Sequence, residues 1–235
     1  MRERSESELI RLFEVMARLR APGGCPWDRA QTHASLLPYL LEETYETIQA
    51  VEQGDPQELA EELGDLLVEV AMHTAIAAEE DGFDLEVVAA RATDKMISRH
   101  PHVFGEIRVD SEEQLLRNWE ALKRIEKPQR TSALDGIPLS LPALALAAAA
   151  QRRVERARLS GGPEPASSHE LGDLVARLDT LAEVDADRAA DLLGEVLWEV
   201  VAVAQRLRVD PEGALRRTAH AHMETYRHRE ASPRK

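Results

Sequence analysis

Residues 40–66 read LLEETYETIQAVEQGDPQELAEELGDL, and the break in the middle decides the fold. Gly54-Asp55-Pro56 stops one helical run and starts another. Asp55 is a good N-cap, Pro56 suits the first helical position, and Glu58 completes a box-like signature. The run before the break reaches back to about residue 35, and the run after it continues to about residue 80, before Gly82. A connection this short makes the two helices antiparallel neighbours.

Outward from that pair the same punctuation recurs. A helix over about residues 7–20 ends in Ala21-Pro22-Gly23-Gly24, and Cys25-Pro26-Trp27-Asp28 is expected as a structured loop. Asp84 caps a helix ending at His100-Pro101, and Ser111 with Gln114 opens another that ends near Pro128. Past Pro138 come a helix to about residue 158, a flexible connection over 160–165 and two or three further helices, one capped by Asp210-Pro211, before a frayed end from 231 to 235. With 43% hydrophobic, 31% charged and only 4% aromatic residues in a 235-residue chain, an all-α fold is expected.

The chain also repeats itself. Leu63-Gly64-Asp65-Leu66-Leu67-Val68-Glu69-Val70 recurs as Leu193-Gly194-Glu195-Val196-Leu197-Trp198-Glu199-Val200, an offset of 130 residues, and a looser match pairs 84–91 with 210–217 at an offset of 126. The repeat predicts two diverged copies of one helical-bundle domain, residues 1–130 and 131–235.

A net charge of −14 argues against a general affinity for nucleic-acid polymers or anionic membranes. A polyanionic substrate needs local cations. Cys25 is the only cysteine, which excludes an intramolecular disulfide and reads as an ordinary loop residue. No early apolar run resembles a signal peptide or membrane span, so a cytoplasmic location is expected.

Chemistry concentrates on the two central helices. Glu43 and Glu46 lie about 60° apart around one helix and about 4.5 Å apart along it, as do Glu62 and Asp65 on the next. Glu43 shares a row with Leu36, Leu40, Thr47 and Ala50, and Glu62 with Leu59 and Leu66, so these are inward rows. Taken singly, such acids are ordinary surface charge, and Glu52, Glu58, Glu79 and Glu80 read as solvated. Converging in pairs, they require a balancing cation. An all-oxygen set suits Mg2+ or Mn2+, whereas the Glu-x-x-His motifs of di-iron bundles are missing. His73 reads as an interior or flanking histidine rather than a ligand. Partly hydrated magnesium serves phosphate substrates, and with no Gly-rich P-loop present the phosphates must be held by metal and basic side chains.

The pattern Glu42, Glu43, Glu46, Glu62 and Asp65 resembles the MazG family of nucleoside triphosphate pyrophosphohydrolases. The likeness extends through Cys25-Pro26-Trp27-Asp28, Gln31-Thr32-His33, Asp94-Lys95, Arg99-His100-Pro101-His102-Val103-Phe104 and Asn118-Trp119-Glu120 followed by Lys123. The resemblance implies a helical fold, Mg2+ dependence, a homodimer, and hydrolysis of a nucleoside triphosphate to monophosphate and pyrophosphate, with clearance of non-canonical nucleotides as a role. It implies that Glu43, Glu46, Glu62 and Asp65 hold metal with Glu42 in support, that Lys95 and Arg99 contact the triphosphate, and that Trp119 and Lys123 close over the nucleotide. Lys95 and Arg99, four apart, share a helical face suited to phosphate. Trp27 is either a further substrate contact or the residue that fixes its loop.

In the second half Ala176, Arg177 and Thr180 stand where Glu42, Glu43 and Glu46 stand in the first, Leu192 replaces Glu62, and only Glu195 keeps an acid. Ala221 and Thr225 match Lys95 and Arg99. The second copy is therefore expected to keep the fold and lack catalysis. The alternative of a different class is a nucleotide-binding or partner-regulating helical protein with little turnover.

Overall fold

A computed structural model describes residues 7–80, 82–105, 107, 111, 114–115, 118–119, 122, 126, 129–157, 168–181 and 185–231. Lys123, the connection over 160–165 and the end beyond Ala231 lie outside the described residues. Among the described residues every regular element is helical, and no helix is long and apolar enough to cross a membrane. The chain divides into two units, Met1–Lys123 and Arg124–Lys235.

The first unit contains α1 (Glu8–Arg20), α2 (Pro26–Ala30), α3 (His33–Gln53), α4 (Pro56–Glu79), α5 (Leu85–Arg99) and α6 (Pro101–Phe104). Asp55 caps α4, its Oδ1 accepting from the Gln57 N–H at 2.8 Å, and Asp84 caps α5 by accepting from the Val87 N–H at 3.0 Å. Between α3 and α4, Gly54 adopts φ 74°, a left-handed conformation that glycine enters without steric cost.

Two boundaries differ from the sequence expectation. The segment after Gly24, expected as a structured loop, is a short helix, because Pro26 at its first turn is pre-set for helical φ. Helix α3 begins at His33, before Ser35, because Thr32 closes a reciprocal capping box. The Ser35 N–H donates to Thr32 Oγ1 at 3.1 Å, and the Thr32 N–H donates to Ser35 Oγ at 2.9 Å.

Both α1 and α3 pack on α4. Their shared core holds Met16 from α1, Leu36 from α3, and Ala71, Met72 and Ile76 from α4, with Leu12, Phe13, Leu19 and Val68 against it. Burying each of the Met, Leu and Ile side chains contributes about 1.5–3 kcal/mol.

The core ends at an ion pair. Arg20, at the foot of α1 and only 8% exposed, donates from Nε to Glu79 Oε1 at 2.8 Å and from its second terminal nitrogen to Glu79 Oε2 at 2.8 Å. Its first terminal nitrogen donates to the backbone carbonyls of Asp28 and Gln31, the latter at 3.1 Å. Glu79, read from sequence as solvated, is thus the partner of a buried guanidinium, and one arginine joins α1, α2 and α4.

The second unit contains α7 (Ala143–Ala157), α8 (Ser168–Leu181), α9 (Ala186–Arg206) and α10 (Pro211–Ala231). Helix α9 packs on α7, α8 and α10, with Ala148, Leu192, Val196 and Val201 buried. Gln151 ties α7 to α9, donating to the Trp198 carbonyl at 2.8 Å and accepting from Gln205 Nε2 at 2.6 Å.

Candidate active site

The two-residue connection Gly54-Asp55 sets the geometry of the acids. Glu46 and Glu62 each stand eight residues from Gly54, and Glu43 and Asp65 each eleven, so α3 and α4 place them as two rungs across one hairpin. Carboxylate oxygens of Glu43, Glu62 and Asp65 lie within 4.8 Å of one another. Glu43 and Glu62 are half-buried, while Asp65, Glu46 and Glu42 are exposed.

The electrostatics match the rungs. The Glu43 carboxyl is pushed above its ordinary value by burial first, then by the negative charges of Asp65, Glu46 and Glu62. The Glu62 carboxyl is raised by burial, then by Glu46, Asp65, Glu61 and Glu58. Glu43 Oε2 is buried with no hydrogen-bond partner. An unsatisfied buried oxygen beside like charges is costly, and a hard cation offsets both terms by supplying charge and a ligand bond. The donor set, oxygen only, fits Mg2+ or Mn2+.

Towards the far end of the hairpin, His33 and His73 stack with ring centroids 5.0 Å apart, and their Nδ1 atoms lie 2.7 Å apart. One of the two nitrogens must carry the hydrogen that the other accepts. Burial, and then His33, hold His73 below the usual histidine range. His73 is a half-buried interior residue, as its position on α4 implied.

The remaining candidate residues lie on other elements. Lys95 is exposed and Arg99 half-buried, one turn apart on α5, a helix that packs on α4. Trp119 is half-buried in a helical stretch, and Lys123 falls outside the described residues.

Trp27 is 53% exposed and stands edge-on to Tyr39 of α3, with ring centroids 6.1 Å apart and planes at 75°. Its segment is fixed from elsewhere. Arg20 holds the carbonyls of Asp28 and Gln31, Gln31 Nε2 donates to the Trp27 carbonyl at 3.1 Å, and the Cys25 N–H donates to the Leu19 carbonyl at 2.7 Å. Gly24 packs so tightly on the end of α1 that a Cβ there would stand 2.2 Å from the Leu19 carbonyl oxygen. The backbone around Trp27 is thus held by Arg20, Gln31 and Gly24, and the indole itself meets Tyr39.

The sequence reading gives Arg20 and Tyr39 no role and takes Glu79 as solvated. The signal for Arg20 was a charge one turn beyond Met16 on the apolar stripe of α1.

Residues 31–104 match the MazG nucleotide pyrophosphohydrolase domain. The chain is 38% identical to a nucleoside triphosphate pyrophosphohydrolase of Escherichia coli, over 90% of this chain and 82% of that protein. It is 37% identical to the nucleoside triphosphate pyrophosphohydrolase/pyrophosphatase MazG of Thermotoga maritima, over 92% of this chain and 83% of that protein. A crystal structure of a mazG-related protein from Thermotoga maritima aligns with 33% identity and a TM-score of 0.43, covering 49% of this chain and 98% of that one.

Proposed function

We propose a function from one premise, that this chain belongs to the MazG nucleotide pyrophosphohydrolase family: it hydrolyses nucleoside triphosphates to monophosphate and pyrophosphate with Mg2+. The observation that carries the reading is the meeting of Glu43, Glu62 and Asp65 oxygens within 4.8 Å on facing helices, with Glu43 Oε2 buried and unsatisfied. Glu43, Glu46, Glu62 and Asp65 hold the ion and Glu42 supports them. Mn2+ has the same preference for oxygen and serves as a substitute. The bound ion supplies Lewis acidity toward phosphate oxygens and toward a water.

In the reaction, water attacks the α-phosphorus, the bond from that phosphorus to the bridging oxygen breaks, and pyrophosphate leaves with the bond's electron pair. The proton released by the water needs an acceptor, and the acid cluster supplies carboxylates for it. Lys95 and Arg99 on α5 offset phosphate charge, while Trp27, Trp119 and Lys123 enclose the nucleoside. Clearing non-canonical nucleotides from a cytoplasmic pool is a role consistent with such an activity.

The second unit is a diverged copy that lacks catalysis. Leu192 stands where Glu62 stands, and Val201, at the same offset from Ala71, is buried as Ala71 is. A homodimer is supported by an apolar face left open on the first unit: Leu37, Leu41 and Tyr45 on α3, and Leu63, Leu67 and Val70 on α4.

The test is product analysis with α-labelled triphosphate. Monophosphate and pyrophosphate should form with Mg2+ and cease with chelator, and Glu62→Gln should lower kcat/KM by about a hundredfold or more. Orthophosphate as the sole released product, or full activity in Glu62→Gln, would contradict the mechanism. Nucleotide binding without turnover favours the binding-protein alternative.

A further inference from the structure

Tyr39 is a half-exposed aromatic residue that neither its helix nor the core requires. It precedes Glu43 by four residues and Glu46 by seven, so it lies on the α3 stripe that carries the metal-binding acids, one turn from Glu43, or about 6 Å along the axis. At 41% exposure it leaves ring surface open, and it meets Trp27 edge to face rather than packing beneath it. Two rings set nearly at right angles and both open to solvent form a corner. That corner is rigid, because the segment bearing Trp27 is tied down by Arg20 and Gly24, and Tyr39 sits inside a 21-residue helix.

Granted the hydrolase reading above, on which it rests, we infer that Tyr39 is the nucleobase-binding residue of this site, forming with Trp27 a wall on which the base stacks. An ion held by the acids would stand beside the reacting phosphate, and the base of the bound nucleotide would then lie one ribose beyond that phosphate. Tyr39 is set about 6 Å from Glu43 along the helix axis, a remove of that order. Aromatic stacking accepts any base, since every base has a π-face. Tyr39 therefore supplies affinity for nucleosides as a class and little discrimination among them.

Binding is measured by calorimetry on the full chain with Mg2+, using non-hydrolysable α,β-methylene analogues of ATP and CTP, and inorganic tripolyphosphate as the base-free probe. Tyr39→Ala should weaken both analogues about tenfold and tripolyphosphate less than twofold, and Tyr39→Phe should restore analogue affinity. An unchanged melting midpoint in Tyr39→Ala shows that the fold is kept. Equal weakening of tripolyphosphate, unchanged affinity for the analogues, or no analogue binding by the wild-type chain overturns the inference. Pyrophosphate release from ATP is followed separately: a wild-type chain that binds the analogues but releases none sinks the hydrolase reading, while the ratio of the two Kd changes still decides the role of Tyr39.

Discussion

Glu69 buries a carboxylate that the acid cluster does not use. It is 7% exposed on α4, its Oε2 has no hydrogen-bond partner, and burial raises its carboxyl above the ordinary value of 4.5. As pH rises past that value the unfolded chain releases its proton first, so ionisation draws the equilibrium away from the folded state. Glu69→Gln removes the charge and should raise the melting temperature by about 2–4 °C at pH 7.5, corresponding to roughly 1 kcal/mol. The gain should vanish well below pH 4.5, where both states hold the proton. Calorimetric scans at the two pH values check this, and a gain that persists in acid would contradict it. The two kinds of acid were not equally legible in the sequence. Glu43, Glu62 and Asp65 could be read because helical spacing and a two-residue connection fix where they meet. Glu69 sits in the run Leu66-Leu67-Val68-Glu69-Val70, where periodicity alone does not show how deeply a lone acid is sunk.

Among the elements, caps written within four residues were readable, as Asp55, Asp84 and Asp210 show. The tie between α1 and α4 was not, because Arg20 and Glu79 are 59 residues apart and nothing local pairs them. Arg20→Met should cost about 1–3 kcal/mol in urea unfolding, a figure moderated by the half-exposed Glu79 carboxylate. Its hydrogen bond to Arg20 holds that carboxyl below its ordinary value, so the stabilisation is full above about pH 4.5 and fades as the pH falls further. Wild type and variant should therefore converge in acid, and parallel curves from pH 7 to pH 3 would refute the assignment.

Across the whole molecule, both units leave the same kind of helix face open: Leu63, Leu67 and Val70 on α4, and Leu193, Leu197 and Val200 on α9, at an offset of 130 residues. Sequence repetition located those positions, and burial depth, which depends on packing, then separated them from Val201 and Ala71. Leu67→Glu places a charge on the α4 face and should turn the proposed homodimer into a monomer in analytical ultracentrifugation. A dimer that survives the change must use another surface. The guanidinium of Arg20 has a reach beyond its own bonds. It fastens α1 to α4 and also holds the short segment from which Trp27 projects, so loss of Arg20 is expected to lower heat tolerance and the proposed hold on the nucleoside in one step.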